Sequence, residues 1–471
     1  MDDLEKKPGF LTGGKVTRRE VLKTGVIAAA GLTVLPAVIA ACGGSSATPA
    51  PAVKVGSNHS DASELSGMQA IDAAFATATG VTPTLNTVDH DTFQDQINNY
   101  LGGTPDDVFT WFSGFRMRFF ASKGLATAID DVWSQAGVSS NFTAGFTGSV
   151  TGNDNHIYGI PVDYYPWCVF YRKSVWAAKN YQIPADWTSF LALCKQMQTD
   201  GLTPIAFSDK DGWPAMGTFD ILDLRLNGYD YHVNLMTGAN GVKWTDAQVT
   251  KVFQTWAQIV PFYTNGYAGL TWQQACDTLV QKTSGMFFLG LFMTGEVATV
   301  DSTAVDDIDF FPWPNMGASY DAEKALDAPI DIWMMSANSK TLQQNMATAQ
   351  QYLAFWAKGT TQVLMYKANN GFIPTASDAD TSVYDVLTQK AVTIVSSANK
   401  ITQFMDRDSR PDFAGANGMQ SFLLTFLNAP TADTTQLQGQ IQAFWDALPA
   451  YNATPNGTFN PVPATPTPAA S

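Results

Sequence analysis

Between residues 62 and 112 the apolar residues of this chain change period twice, and that alternation restricts its fold more than any other feature. Leu65, Met68, Ile71 and Phe75 share one face of a helix, with Asp61-x-x-Glu64 placed to cap it and Gly80 to end it. A strand-like stretch, 81–88, follows. Phe93, Ile97 and Leu101 then repeat at four residues, and Asp107-Val108-Phe109-Thr110-Trp111-Phe112 reads as a buried strand. Strand, helix and strand in this order argue for a parallel sheet with covering helices.

A second such unit starts near Tyr158. Ile160-Pro161-Val162-Asp163-Tyr164-Tyr165-Pro166-Trp167 is a proline-punctuated extended segment, and Val169-Phe170-Tyr171 is strand-like. Asp186 is placed to cap a helix bearing Phe190, Cys194 and Met197, and 203–207 returns to a strand. Val249, Val252, Phe253, Trp256 and Ile259 mark an amphipathic helix. Strands are expected at 286–289, 308–311 and 330–335, and helices dominate beyond 346. A chain of 471 residues suggests about three domains, or two large ones sharing a core.

The first segment is an address. Thr17-Arg18-Arg19-Glu20-Val21-Leu22-Lys23 opens an apolar run, 26–41, behind Lys6, Lys7 and Lys15. A basic start, an apolar stretch and small residues before a cut site read as an export signal, and the paired arginines as its twin-arginine form. A run of this length containing Gly31 and Pro36 falls short of the roughly 20 residues that span a bilayer. It ends Ile39-Ala40-Ala41-Cys42-Gly43, which resembles a bacterial lipobox, with Cys42 as the lipidated residue of the mature N-terminus. A small-residue, proline-containing tether follows, and the end of the chain, 452–471, is rich in Pro, Thr and Ala and reads as disordered.

Charge excludes several partners. The formal net charge is −15, so nucleic acid is disfavoured, as is anionic lipid bound by charge alone. Glu occurs only at positions 5, 20, 64, 296 and 323; Asp supplies the other carboxylates and brings many loop-borne acceptors. Cys168, Cys194 and Cys276 are too few and too widely spaced for a disulfide framework, and buried thiols are expected of Cys194 and Cys276. His59, His90, His156 and His232 are scattered, and read as surface or locally bonded residues. No G-x-S-x-G, HExxH or paired CxxC occurs. Gly9 to Lys15 fits most of a phosphate loop, but Val16 stands where Ser or Thr is needed. A glycosidase requires two facing carboxyls, and no local signature nominates a pair. Asp106-Asp107 and Asp130-Asp131 read as turn and cap residues.

Aromatic and polar residues recur together in loops. Trp111-Phe112-Ser113-Gly114-Phe115-Arg116 leaves a strand, and Lys210-Asp211-Gly212-Trp213-Pro214 is a turn carrying a tryptophan. Gly290-Leu291-Phe292 and Asp331-Ile332-Trp333 follow apolar runs. Asp406-Arg407-Asp408 stands in a charged loop between helices. Sugars have apolar C–H faces and hydroxyl rims, which rings and carboxylates together suit. Taken singly, these rings also read as core and the Asp-Arg-Asp loop as solvated.

With Tyr100-Leu101-Gly102-Gly103-Thr104-Pro105-Asp106-Asp107-Val108, 111–120, Tyr158-Gly159-Ile160-Pro161, Asp186-Trp187, Gly285-Met286 and the 406–408 loop, residues 53–451 resemble an extracellular solute-binding protein (family 1) of a carbohydrate ABC importer. The resemblance implies an α/β, type II periplasmic-binding-protein-like fold, with two interleaved lobes joined by a hinge. Lobe 1 would comprise 53–165 plus 312–366, and lobe 2 166–311 plus 367–451, after a leader (1–41) and a lipidated tether (42–52). Crossings would lie near 162–166, 312–330 and Lys367. It implies Trp111, Ser113 and Arg116 at the cleft, with Asp331 and Trp333 nearby and Asp163 and Tyr165 at the hinge. Trp213, Phe292, Asp406 and Asp408 would close from the other side. The implied action is capture without catalysis and without a cofactor. The partners are a carbohydrate, ABC permease subunits and the membrane through Cys42, and the location is the outer face of the cell membrane, or the periplasm. A solute-binding protein for a peptide, polyamine or phosphodiester and a secreted glycoside hydrolase are the alternatives.

Overall fold

The computed structural model describes residues 50–449. The leader, Cys42 and the tail from 452 lie outside the described residues. The alternation at the start of the body builds three strands, β1 (Lys54–Ser57), β2 (Thr84–Thr87) and β3 (Val108–Phe112), joined by helices α1 (Ala62–Thr79) and α2 (His90–Gly102). β1 runs parallel to both of its neighbours. The apolar face of α1 buries Met68, Ile71 and Phe75, and that of α2 buries Phe93, Ile97 and Leu101. Gly80 ends α1 at φ +75°, a conformation that glycine adopts without strain. α3 (Phe115–Ser122) leaves the cleft end of β3.

The remaining strands of this sheet are β4 (Ala126–Thr127) and β5 (Gly159–Tyr164), and later in the chain Ile330–Ser336 and Ile373–Pro374. A second sheet comes between them in sequence: β6 (Trp167–Arg172), β7 (Thr203–Ala206), β8 (Ser284–Gly290) and β9 (Ile308–Phe311), in the order β7-β8-β6-β9. β10 (Leu326–Asp327) precedes the two late strands, which are β11 and β12, and pairs with β13 (Ile401–Thr402) in a small sheet of its own. The first sheet has the order β12-β5-β11-β3-β1-β2, with β4 against β11. The chain thus leaves one sheet after Tyr164, enters the other at Trp167, and is back in the first at Ile330. Strand pairing keeps Ile373 and Pro374 in the first sheet.

The expectation of a parallel sheet holds for β2-β1-β3, for β7-β8 and for the small β10-β13 pair. β11 runs antiparallel to both β3 and β5, and β6 antiparallel to β8 and β9. These strands arrive by crossings between lobes and not by a strand-helix-strand connection, so no rule makes them parallel. The β5–β11 register shifts between Asp331 and Ile332, beside Pro161, which has no N–H to give the ladder.

Two local expectations fail instructively. Asp61 is the N-cap of α1, but its side chain makes no capping bond. The 406–408 segment is a short helix, Met405–Asp408, with all four residues buried, and not a solvated loop. Cys168, Cys194 and Cys276 are buried free thiols. Among the described residues no helix is long and apolar enough to cross a membrane.

Candidate functional site

A cavity of about 600 Å³, counting space open to solvent, lies where the two sheets face each other. The first sheet brings residues from the C-terminal ends of its strands, where ligands bind in open α/β sheets. Asn58, His59 and Asp61 follow β1, Glu64 is in the first turn of α1, and His90 and Gln94 open α2. The second sheet brings rings. Trp167 starts β6, Phe292 follows β8, and Trp213 and Trp272 are the first residues of the helices Trp213–Asn227 and Trp272–Val280. Tyr165 at the crossing, Pro329, Asp331 in β11, Phe372, and the segment carrying Phe404, Asp406 and Arg407 complete the lining.

The rings support one another. Phe292 meets Tyr165 edge-on at 5.1 Å and Trp272 at 5.2 Å, and Trp167 stacks on Phe404 at 4.9 Å. Opposite them the polar groups are wired in pairs. His59 Nδ1 is 3.4 Å from Glu64 Oε2. Asp61 accepts a hydrogen bond from Gln273 Nε2 (3.2 Å), a bond between the first sheet's α1 and the second sheet's Trp272 helix. Arg116 Nη1 donates to Gln94 Oε1 (2.8 Å), so the Gln94 amide nitrogen donates to His90 Nε2 (2.7 Å). The other ring nitrogen, His90 Nδ1, stands 3.3 Å from Asn58 Nδ2.

Arg407 joins the two walls. Its guanidinium lies 3.9 Å from the Phe112 ring centre, donates to Asp331 Oδ1 (3.0 Å), and has Nε 3.6 Å from Asp406 Oδ1. Burial opposes its charge, but Tyr165, Asp331 and Asp406 outweigh that and hold it protonated. Burial raises the Asp331 carboxyl, with Arg407 pulling the other way, and the Tyr165 hydroxyl donates to it at 3.2 Å. Burial first, and Arg407 second, push His90 down to about 3, so the ring is neutral.

Of the residues singled out in the sequence, Tyr165, Trp213, Phe292, Asp331 and Asp406 line this cavity together. The others do not. Trp111 is covered by Phe93 and Phe120, and Trp333 by Tyr352 and Trp356. Asp331 stands near the start of β11, at the cleft, whereas Trp333 is two residues, about 7 Å, deeper into the lobe. Ser113 is buried and donates to Gln403 Oε1 (2.9 Å). Arg116 stands behind Gln94 and lines an outer groove at the cavity mouth. Asp163 pairs with Asp331 across the β5–β11 ladder, and burial, then Asp331, raises it. Asp408 turns inward to accept the Gln403 N–H (2.8 Å).

Sequence reasoning missed Asn58, His59, Glu64, His90, Gln94, Trp167, Trp272, Phe372, Phe404 and Arg407 as lining residues. For Asp61 and Glu64 a signal existed, but their spacing of three reads first as a capping box. His156, exposed beside Asp130 (3.0 Å), and His232, buried against Asp223 (3.0 Å), are locally bonded as expected. Asp107 is a buried acceptor for Ser339, Thr341 and Asn345, and so more than a turn residue.

This two-walled cleft has known counterparts. A family model, bacterial extracellular solute-binding protein, matches residues 60–363. The chain belongs to that family. The bacterial solute receptor AcbH, which has an exclusive substrate preference for β-D-galactopyranose, is 38% identical with a TM-score of 0.79; the match covers 84% of this chain and 98% of that one. A chitin oligosaccharide binding protein shares the fold at a TM-score of 0.73 and 18% identity, covering 84% of this chain and 98% of its own. An uncharacterized ABC transporter extracellular-binding protein of Pyrococcus horikoshii is 24% identical over 304 residues, 63% of this chain. That match spans 64% of the relative's own length, less than two thirds. The fold is therefore the type II periplasmic-binding-protein one, with two interleaved α/β lobes joined by a hinge, and the family is one of receptors.

Proposed function

We propose that this protein captures a single neutral sugar outside the cell and hands it to an ABC-type membrane permease. The observation that carries this reading is the cavity between the two sheets, with rings on one wall and hydrogen-bonding groups on the other. A pyranose offers a C–H face to Trp213, Phe292 or Trp272, and hydroxyls to Asp61, Glu64, His59, His90, Asp331, Asp406 and Arg407. The galactose preference of the 38%-identical receptor supports the same class. The mechanism is capture: a sugar touching both walls binds the closed form better than the open one, and that difference shifts the lobes toward closure. The lobes are 53–165 plus 312–366 and 166–311 plus 367–451, except that Ile373 and Pro374, paired with β5, belong with the first. Cys42 holds the protein to the membrane through lipid, after export on the twin-arginine leader.

A thermal-shift screen against monosaccharides and oligosaccharides, followed by calorimetry on the hits, tests this. A bound monosaccharide raises the melting point by mass action. If only a peptide, a polyamine or a phosphodiester does so, the ligand class is wrong. Multiple turnover of a glycoside by the purified protein would instead establish the hydrolase alternative. Cys42→Ala should release the protein from the membrane fraction; unchanged fractionation removes the anchor.

A further inference from the structure

Asp406 and Arg407 reach the cavity from a turn that has no conformational freedom to spare. Phe404, just before them, has φ +109° and ψ 141°, a region that side-chain-bearing residues rarely occupy. Such a conformation persists only where its surroundings over-determine it. Three acceptors do so here. The Met405 N–H donates to Asp220 Oδ2, the Gln403 N–H to Asp408 Oδ2, and the Phe404 carbonyl takes the N–H groups of Arg407 (2.9 Å) and Asp408 (2.7 Å). The Gln403 side chain ties the turn to the first sheet, because its Oε1 accepts from Ile330 N–H (3.0 Å) and Ser113 Oγ (2.9 Å). The Phe404 ring is seated as tightly. A Cβ on Gly217 would stand 2.5 Å from Trp167 and 2.9 Å from Phe404, so the Trp213–Asn227 helix has its backbone against both rings.

Asp220 itself is the anomaly. It lies in a helix whose residues are all buried, is fully buried, and has its second oxygen without a hydrogen-bond partner. An apolar residue would fill that position without the desolvation cost. One carboxyl oxygen stands 3.9 Å from the buried His232 Nε2, and the other supplies an acceptor for a backbone amide at the strained turn. We propose that Asp220 and Gln403, neither of which lines the cavity, are positioning residues for the sugar site: they fix the Phe404 conformation and so aim Asp406 and Arg407. This rests on the sugar-capture reading of the cavity.

Asp220→Leu removes the acceptor at similar size, and Asp220→Asn keeps one. Asp220→Leu should weaken sugar binding about tenfold or more and reduce the discrimination between hexose epimers, while Asp220→Asn restores both to near wild type. Asp72→Asn, which disturbs the buried Tyr352–Asp72 bond (2.8 Å) away from the cavity, is the control for lost stability, and should leave affinity and epimer preference unchanged. Should Asp220→Leu not fold, Gln403→Met tests the other tie of the turn, to Ile330 and Ser113, with the same expected loss. Wild-type affinity and epimer preference in the folded variant would overturn the proposal. If the wild type binds no sugar at all, the reading of the cavity falls. The hold on the turn is then judged by hydrogen exchange: faster exchange at 403–408 in Asp220→Leu supports it, and unchanged exchange overturns it.

Discussion

The two walls of the cavity are built from different chemistry. The wall from the first sheet is polar, with Asn58, His59, Asp61, Glu64, His90 and Gln94 paired to one another or to Arg116 and Gln273 behind them. The wall from the second sheet is aromatic, with Trp167, Trp213, Trp272 and Phe292 packed mainly edge to face. Neither wall alone selects a sugar, because rings alone accept any flat apolar surface and carboxylates alone accept cations or water. Specificity arises where the two are held at one separation, and Arg407 and Asp331 stand at that junction. The comparison suggests that the polar wall reads hydroxyl positions and the aromatic wall supplies contact area.

The severest way to break the comparison is to remove the junction. Arg407→Ala would leave Asp331 buried without its cation, and Asp406 with Arg116 alone, at 3.9 Å. Deleting one partner of a buried ion pair costs about 3–5 kcal/mol of stability. Sugar binding should fall more than about a hundredfold, because the lost charge also frees the walls from each other. Denaturant unfolding and calorimetric titration measure the two losses. A stable variant with near-normal affinity would mean that the walls act independently.

Substitutions on each side give the next largest effect. Trp213→Ala should weaken binding about tenfold or more, since a stacking ring contributes about 1–3 kcal/mol. Asp406→Asn should cost about as much through weaker hydroxyl bonds. Comparable losses would sharpen the two-wall account. Loss in Trp213→Ala alone would make the ligand an apolar one. A loss in Asp406→Asn that high salt reproduces in the wild type would point to a cation, because screening leaves a neutral sugar unaffected.

The aromatic wall was the more legible in sequence, for a physical reason. Trp213 follows Gly212 in a turn and Phe292 follows the end of an apolar run, and a large ring outside a periodic face is conspicuous. The fold was legible for the same reason, since Met68, Ile71 and Phe75, or Phe93, Ile97 and Leu101, carry their period openly. The polar wall carries none. His59 and His90 are single residues after strand ends, and nothing local says that their rings turn inward. Asp61 and Glu64 have the spacing of a helix cap, and only the Gln273 helix, more than 200 residues away, draws Asp61 elsewhere. Trp111 and Trp333 misled because side chains in a strand alternate between its faces, and these two rings pack under the covering helices, on Phe93 and Phe120 and on Tyr352 and Trp356. Arg407 was visible as a charge but not as a buried one, since burial of the 405–408 helix depends on contacts from both lobes.

The smallest expected effect separates two residues of the polar wall itself. His59 and His90 are both buried imidazoles, yet they are displaced in opposite directions. For His59, burial opposes the charge, but the hydrogen bond and charge of Glu64, then Asp331 and Asp61, outweigh it and raise the ring above 6.5. Its contribution to stability is complete below pH 6.5 and is lost as pH rises through the folded value. His90, pushed down to about 3, behaves inversely. Its contribution is present above pH 6.5 and is lost as pH falls toward 3, because the unfolded chain takes up a proton that the folded one refuses. Each pH unit below 6.5 should cost about 1.4 kcal/mol through His90. His90→Gln should therefore lose less of its melting temperature than the wild type between pH 7.5 and 5.5, by about 1–2 °C for a chain of this size. His59→Asn should change the profile only on the alkaline side. Parallel melting curves for wild type and His90→Gln across that range would show that His90 titrates like an exposed histidine, and the polar wall would then be open to water and not closed over a ligand.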